Sequence, residues 1–216
     1  MADEPTKAAE DAAQSGNKRF EGICGLLIAT LAAILAITDL GAGKYGDDEL
    51  IAHNEKNGAY LWYQAKGIKE TQVEGQRDVL RSLVDAGSIR PEQLPAMQGL
   101  LGKLDEKLVR YGKEKKEILL GSQSVGRENW AQDVGGEMGK VTGAKEWESK
   151  AMALNDVGDT FDYATFFLQL CLVFGAISLI LESQRLRVGF LWSMVLLGLV
   201  GAVLSAWAFN LAAGVP

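Results

Sequence analysis

The sequence predicts an all-α membrane protein: three transmembrane helices, with a long, coiled-coil-like extracytoplasmic helical hairpin between spans one and two. Three observations carry that expectation. Residues 20–40, 161–181 and 188–211 are apolar runs almost without charge, each about as long as the roughly 20 residues a helix needs to cross a bilayer's hydrocarbon core. Residues 41–160 between the first two runs are polar. That insert carries a seam, Leu94, Met97, Leu101, Leu104, Leu108, Tyr111, Lys115 and Ile118, at alternating spacings of three and four. Such a seam, sustained over about three heptads, is the pattern of a coiled coil or a long packed helix.

Residues 1–19 read as a charged cytoplasmic tail without stable structure. Lys18 and Arg19 before the apolar centre at 23–37 would also suit a cleaved signal peptide. The preceding tail is long and holds Asp3, Glu4, Glu10 and Asp11, so an anchor is expected. Within span one, Gly25, Ala29 and Ala33 lie four apart; in span three, Gly198, Gly201, Ala202 and Ser205 form a second small-residue face. Such faces let helices approach closely in lipid, within a chain or between chains.

Charge sets the expected orientation. Lys7, Lys18 and Arg19 precede span one, and Arg185 and Arg187 occupy the short loop 182–187. Three spans place both segments on one side, which the positive-inside rule makes cytoplasmic. The insert and residues 212–216 are then extracytoplasmic, the setting being a bacterial inner membrane. Trp192 and Trp207 lie about 22 Å apart along a helix at 1.5 Å per residue, suited to two interfacial anchors.

Within the insert, Asp47, Asp48 and Glu49 suit the start of a helix, where carboxylates meet the positive end of its dipole. The stretch from Ala86 to Pro91 contains Gly87 and ends in proline, a stop. A second helix opens near Pro91 or Glu92. The first helix's matching seam is expected through Leu50, Asn54, Asn57, Leu61, Gln64 or Ala65, Ile68, Gly75, Val79 and Ser82 or Leu83. A short loop between the two makes them antiparallel, over up to roughly 60 Å. In residues 121–145 six glycines interrupt any helix, each costing on the order of 1 kcal/mol relative to alanine, and a flexible elbow is expected. Residues 135–140, GGEMGK, resemble a fragment of a phosphate-binding loop but lack the preceding strand and the lysine-serine/threonine ending. A further helix from Glu146 runs towards span two.

The chemistry is sparse. A net charge of −6 offers no basic field for nucleic acid. Cys24 and Cys171, the two cysteines, both fall in spans, so the insert has no disulfide framework. No ionisable group sits near the midplane of a span, which counts against a proton-driven carrier. His53 is the single histidine; without a second imidazole it is a weak metal or acid–base candidate. Asp39, Asp47, Asp48, Asp156, Asp159 and Asp162 would gather at the outer face and supply oxygen ligands for cations, so a cation channel or transport component is the alternative reading. No catalytic, cofactor-binding or metal site is expected, and no small-molecule substrate is indicated.

The leading expectation is a non-enzymatic structural or assembly component of the bilayer, either a homo-oligomer or an accessory subunit among other membrane proteins. Its contacts would run through Tyr60, Trp62, Tyr63 and Ile68 together with the leucine seam, because large aromatics with a polar tip are favoured at interfaces.

Asn54, Lys56, Trp62, Tyr63, Gln64, Ala65, Lys66, Ile68 and Lys69, with Asp162, Tyr163 and Ala164 opening span two, resemble a bacterial membrane family known as a domain of unknown function, number 4337. Its members share the order of charged tail, one span, an aromatic helix and two closely joined spans. The resemblance covers most of the chain, fits 121–145 poorly and implies no activity.

Overall fold

The computed structural model describes residues 4–215, with side chains from Lys18 onward. It is all-α apart from one two-residue hairpin. The elements are α1 (Glu4–Asp85), α2 (Leu94–Leu120), α3 (Ser122–Val125), β1 (Asp133–Val134), β2 (Glu137–Met138), α4 (Ala144–Ile180) and α5 (Gln184–Ala213). Three of these helices, α1, α4 and α5, are long and apolar enough to cross a membrane. Residues 1–3 of the expected tail lie outside the described residues; from Glu4 the backbone already belongs to α1.

No proline occurs between residues 6 and 90, so nothing removes a backbone donor from α1 along that length. The helix ends on a Schellman motif. Gly87 takes φ +64°, its N–H donates to Val84 O at 3.0 Å, and Ser88 N–H donates to Leu83 O at 3.1 Å. Pro91 and Pro95 then occupy the entry to α2, where a missing N–H costs nothing.

The chain divides into two compact units, one of residues up to 48 with 153 onward, the other of residues 49–152. In the first, α1, α4 and α5 pack through small residues. An added Cβ on Gly201 would lie 2.7 Å from Leu168 Cγ, and one on Gly198 would lie 2.7 Å from Leu31 Cδ2. Phe161 is fully buried, stacked on Tyr45 at 5.8 Å and edge-on to Phe209 at 5.0 Å. It packs with Val157, Ala208 and Ala212. Hydroxyls and thiols supply buried polar contacts between helices. Thr38 and Ser205 hydroxyls meet at 2.8 Å, and Cys24 Sγ lies 3.1 Å from Ser178 Oγ.

In the second unit ion pairs join α1 to α2 beside a small apolar core that includes Leu104 and Ile118. Lys66 Nζ donates to Glu114 Oε2 at 2.6 Å, Lys115 Nζ to Glu70 Oε2 at 2.6 Å, and Arg77 and Arg81 each lie 3.8 Å from Asp105. Lys66 and Glu70 meet Glu114 and Lys115, whereas the later Arg77 and Arg81 meet the earlier Asp105, so these segments run antiparallel.

Candidate interaction site

On α2 the buried and half-buried positions include Leu94, Met97, Leu101, Leu104, Leu108, Tyr111, Lys115 and Ile118, the expected seam. On α1 the expectation is overturned. Leu50, Asn54, Asn57, Leu61, Gln64, Ala65, Ile68, Gly75, Val79, Ser82 and Leu83 are all exposed. The face turned inward instead carries Ala52, Lys56, Ala59, Tyr63, Lys66, Glu70, Val73, Arg77, Leu80 and Val84. The more apolar stripe lost because α2 presents Glu114, Lys115 and Asp105, and a buried carboxylate is tolerated only with its countercharge. Lys66, Glu70 and Arg77 supply those charges while their aliphatic stems cover apolar surface.

The aromatics belong to this ionic ladder. Tyr60 donates its hydroxyl to Glu148 Oε2 at 3.3 Å, and its pKa is raised by desolvation and by that carboxylate. Tyr63 lies under Lys115 Nζ at 5.1 Å from the ring centroid, a cation–π contact. Trp62 is half-buried and Ile68 exposed. Glu114 is almost fully buried and also accepts from Arg110 Nε at 2.7 Å. Desolvation pushes its carboxyl up, but the hydrogen bonds and charges of Lys66 and Arg110 outweigh it and hold the pKa below the ordinary carboxylate value. The Lys115 pKa is raised, chiefly by its hydrogen bond to Glu70.

Residues 121–143 are not an elbow. Glu117 is fully buried; its carboxylate accepts from Ser122 Oγ at 2.8 Å, Ala131 N–H at 2.7 Å and Gln132 N–H at 2.8 Å. Ser122 in turn bonds Val141 twice: its N–H donates to Val141 O at 2.9 Å, and its side-chain Oγ accepts from Val141 N–H at 2.9 Å. The Trp130 indole N–H donates to Ser122 O at 2.8 Å. Glycine is needed at two points of this knot. Gly121 turns the chain at φ +90° against the Glu146 carboxylate, and Gly139, at φ +81°, lies beneath Trp130, whose ring would stand 2.6 Å from an added Cβ. Sequence reasoning missed Glu117 because nothing in its local spacing separates it from the solvated glutamates and lysines around it.

The remaining candidates are not assembled into a chemical site. His53 Nε2 lies 3.5 Å from Glu49 one turn earlier. Among the described residues no three His, Cys, Asp or Glu side chains gather as a metal site, so the acidic set from Asp39 to Asp162 forms no such cluster. Asp39 instead accepts from Thr165 Oγ1 at 3.2 Å. Of the small-residue faces, Gly198, Gly201 and Ser205 are buried and Ala202 half-buried, while Gly25, Ala29 and Ala33 face outward.

A family model described as a domain of unknown function, DUF4337, matches residues 20–211. Searches of the curated proteins and of the solved structures found no match.

Proposed function

The chain belongs to the DUF4337 family, and on that premise we propose that it is a non-enzymatic integral membrane protein acting as a structural or assembly component. It is homo-oligomeric or an accessory subunit of a larger membrane complex, set in a bacterial inner membrane. In this reading α1, α4 and α5 cross the bilayer with the amino terminus cytoplasmic. The antiparallel pairing of α1 and α2 forms an extracytoplasmic helical hairpin, and the carboxy terminus is extracytoplasmic.

The observation that carries the reading is the surface of the three-helix unit. Leu26, Leu40, Val173, Ile180, Leu196 and Val203 are all more than half exposed. Soluble monomers do not leave apolar patches of that extent facing water. Trp192 and Trp207 also point outward, as interfacial anchors do. Beneath this surface the Thr38–Ser205 and Cys24–Ser178 contacts are of the kind that joins helices in lipid, and the Arg187–Glu21 ion pair joins α5 to α1 near the start of α5. In residues 49–152 charge pairing prevails, which suits water.

Carbonate extraction combined with thiol labelling tests it. The protein stays in the membrane pellet at alkaline pH. Ser88→Cys, at the turn after α1, is modified by an impermeant maleimide added from outside, whereas Arg185→Cys is modified only after permeabilisation. Release by carbonate removes the membrane reading, and the opposite labelling pattern removes the orientation.

A further inference from the structure

The exposed face of α1 in residues 50–83 is an organised stripe. Leu50, Leu61, Gln72 and Leu83 are spaced eleven apart, as are Asn57, Ile68 and Val79, and Asn54, Ala65 and Gln76. Eleven residues make just over three full turns, so these columns stack into one nearly straight band. Its large apolar members, Leu50, Leu61, Ile68, Val79 and Leu83, are 43% to 70% exposed. They lie opposite the side that Lys66, Glu70 and Arg77 present to α2. A shallow groove lined by Gln64, Gly67, Ile68, Thr71 and Gln72 opens along it.

We propose that this band is a self-association seam, occupied by the same band of a second copy in parallel and in register. The proposal deepens the assembly reading and rests on it. Three features select the occupant. No ionisable residue falls in the columns, although Glu55, Lys69, Glu74 and Asp78 lie close by in sequence, so two copies meet without like-charge repulsion. The polar members are amides, Asn54, Asn57, Gln72 and Gln76. An amide carries both donor and acceptor, so each satisfies its own counterpart across a parallel pair, as a buried asparagine does when it sets the register of a coiled coil. Against lipid the same amides would be left unpaired at a cost of a few kcal/mol, and a bilayer-surface helix would carry lysine and arginine along its polar face. Size also fits. Thirty-four residues give a band about 50 Å long and about 10 Å wide, so two copies cover roughly 1,000 Å², the lower bound for a specific interface.

Single-cysteine cross-linking of the full-length protein in its own membrane decides it, with Cys24→Ala and Cys171→Ala removing the native thiols. Leu61→Cys, Ile68→Cys and Val79→Cys are expected to give several-fold more disulfide-linked dimer than Glu55→Cys and Glu74→Cys, which are also exposed but off the band. Ile68→Glu should reduce cross-linking at Leu61→Cys several-fold while retaining the helical circular dichroism. Equal cross-linking at all five positions overturns the seam, and so does cross-linking confined to one position, which marks an antiparallel crossing. Quenching of a probe at Ile68→Cys by brominated lipid also overturns it, by placing the face on the bilayer. An amine-reactive reagent separates the two readings. Cross-linked multimers without the seam pattern overturn the seam alone, whereas a strict monomer overturns seam and homo-oligomer together.

Discussion

The two units of this chain solve the same packing problem with different materials. Residues up to 48 with 153 onward bring helices together through Gly198, Gly201 and Gly41, sealed by Thr38–Ser205 and Cys24–Ser178 contacts. Residues 49–152 bring helices together through Lys66–Glu114, Lys115–Glu70 and the buried acceptor Glu117. The difference teaches where each strategy is affordable. An ion pair joins helices well when water can solvate its exposed edge. Close backbone approach needs no solvent, and it gains dispersion contacts along the whole helix.

The sharpest way to break that contrast is at Glu117. Glu117→Ala removes an acceptor shared by three donors and leaves the buried Gln132 N–H and the part-buried Ala131 N–H without it. The expected loss is about 4 kcal/mol, at roughly 1–3 kcal/mol for each unsatisfied group. It should appear as fast proteolysis within 121–143, with hydrogen exchange in the three-helix unit unchanged. A loss spread evenly over both units would mean that they do not respond separately.

Next in size is Gly201→Ala. The added Cβ meets Leu168 at 2.7 Å and Ala164 O at 3.1 Å, and overpacking of this kind costs about 1–3 kcal/mol. A lowered thermal midpoint in detergent is expected. Gly25→Ala, with nothing within 4 Å of the new atom, is the control that should leave it unchanged.

The smallest effect is expected from pH, and only in the charged unit. Glu114 is held below its usual value, so its contribution is present above about pH 4.5 and is lost as pH falls through the lowered folded value. Lys115 is raised, so its contribution is complete below its unfolded value and is lost as pH rises through the higher folded one. Hydrogen exchange across Lys66–Glu70 and Glu114–Lys115, taken relative to the intrinsic amide rate at each pH, should therefore quicken at the acidic and strongly alkaline extremes. The Thr38–Ser205 region should stay flat over the same range; equal quickening there would erase the contrast.

Much of the fold was legible along the chain because it depends on local pattern. The apolar runs marked the three long helices, Gly87 marked the end of α1, and the three–four spacing from Leu94 to Ile118 marked the buried side of α2. Rotation of α1 was not legible. Its apolar stripe through Leu61 and Ile68 outscored the stripe through Tyr63 and Lys66, yet the latter faces α2. Hydrophobic periodicity ranks faces by transfer free energy and takes no account of which charges a partner presents. Glycine count misled in the same way at 121–143. Composition registers the entropy that glycine loses, while the carboxylate of Glu117, placed by α2, repays it with hydrogen bonds from residues up to 15 positions away.

The sequence by itself determined which segments are apolar enough for a bilayer, where the first long helix stops and which side of α2 is buried. These follow from residue properties repeated at fixed local intervals. That α1 runs unbroken from Glu4 through Asp47 was not expected. Only the tertiary structure decided which side of α1 meets α2, that Glu117 organises the loop beyond it, and that Gly198 and Gly201 are covered while Gly25 and Ala29 are not. Those outcomes turn on pairings between residues far apart in the chain, whose energies exist only once the partners have been brought together.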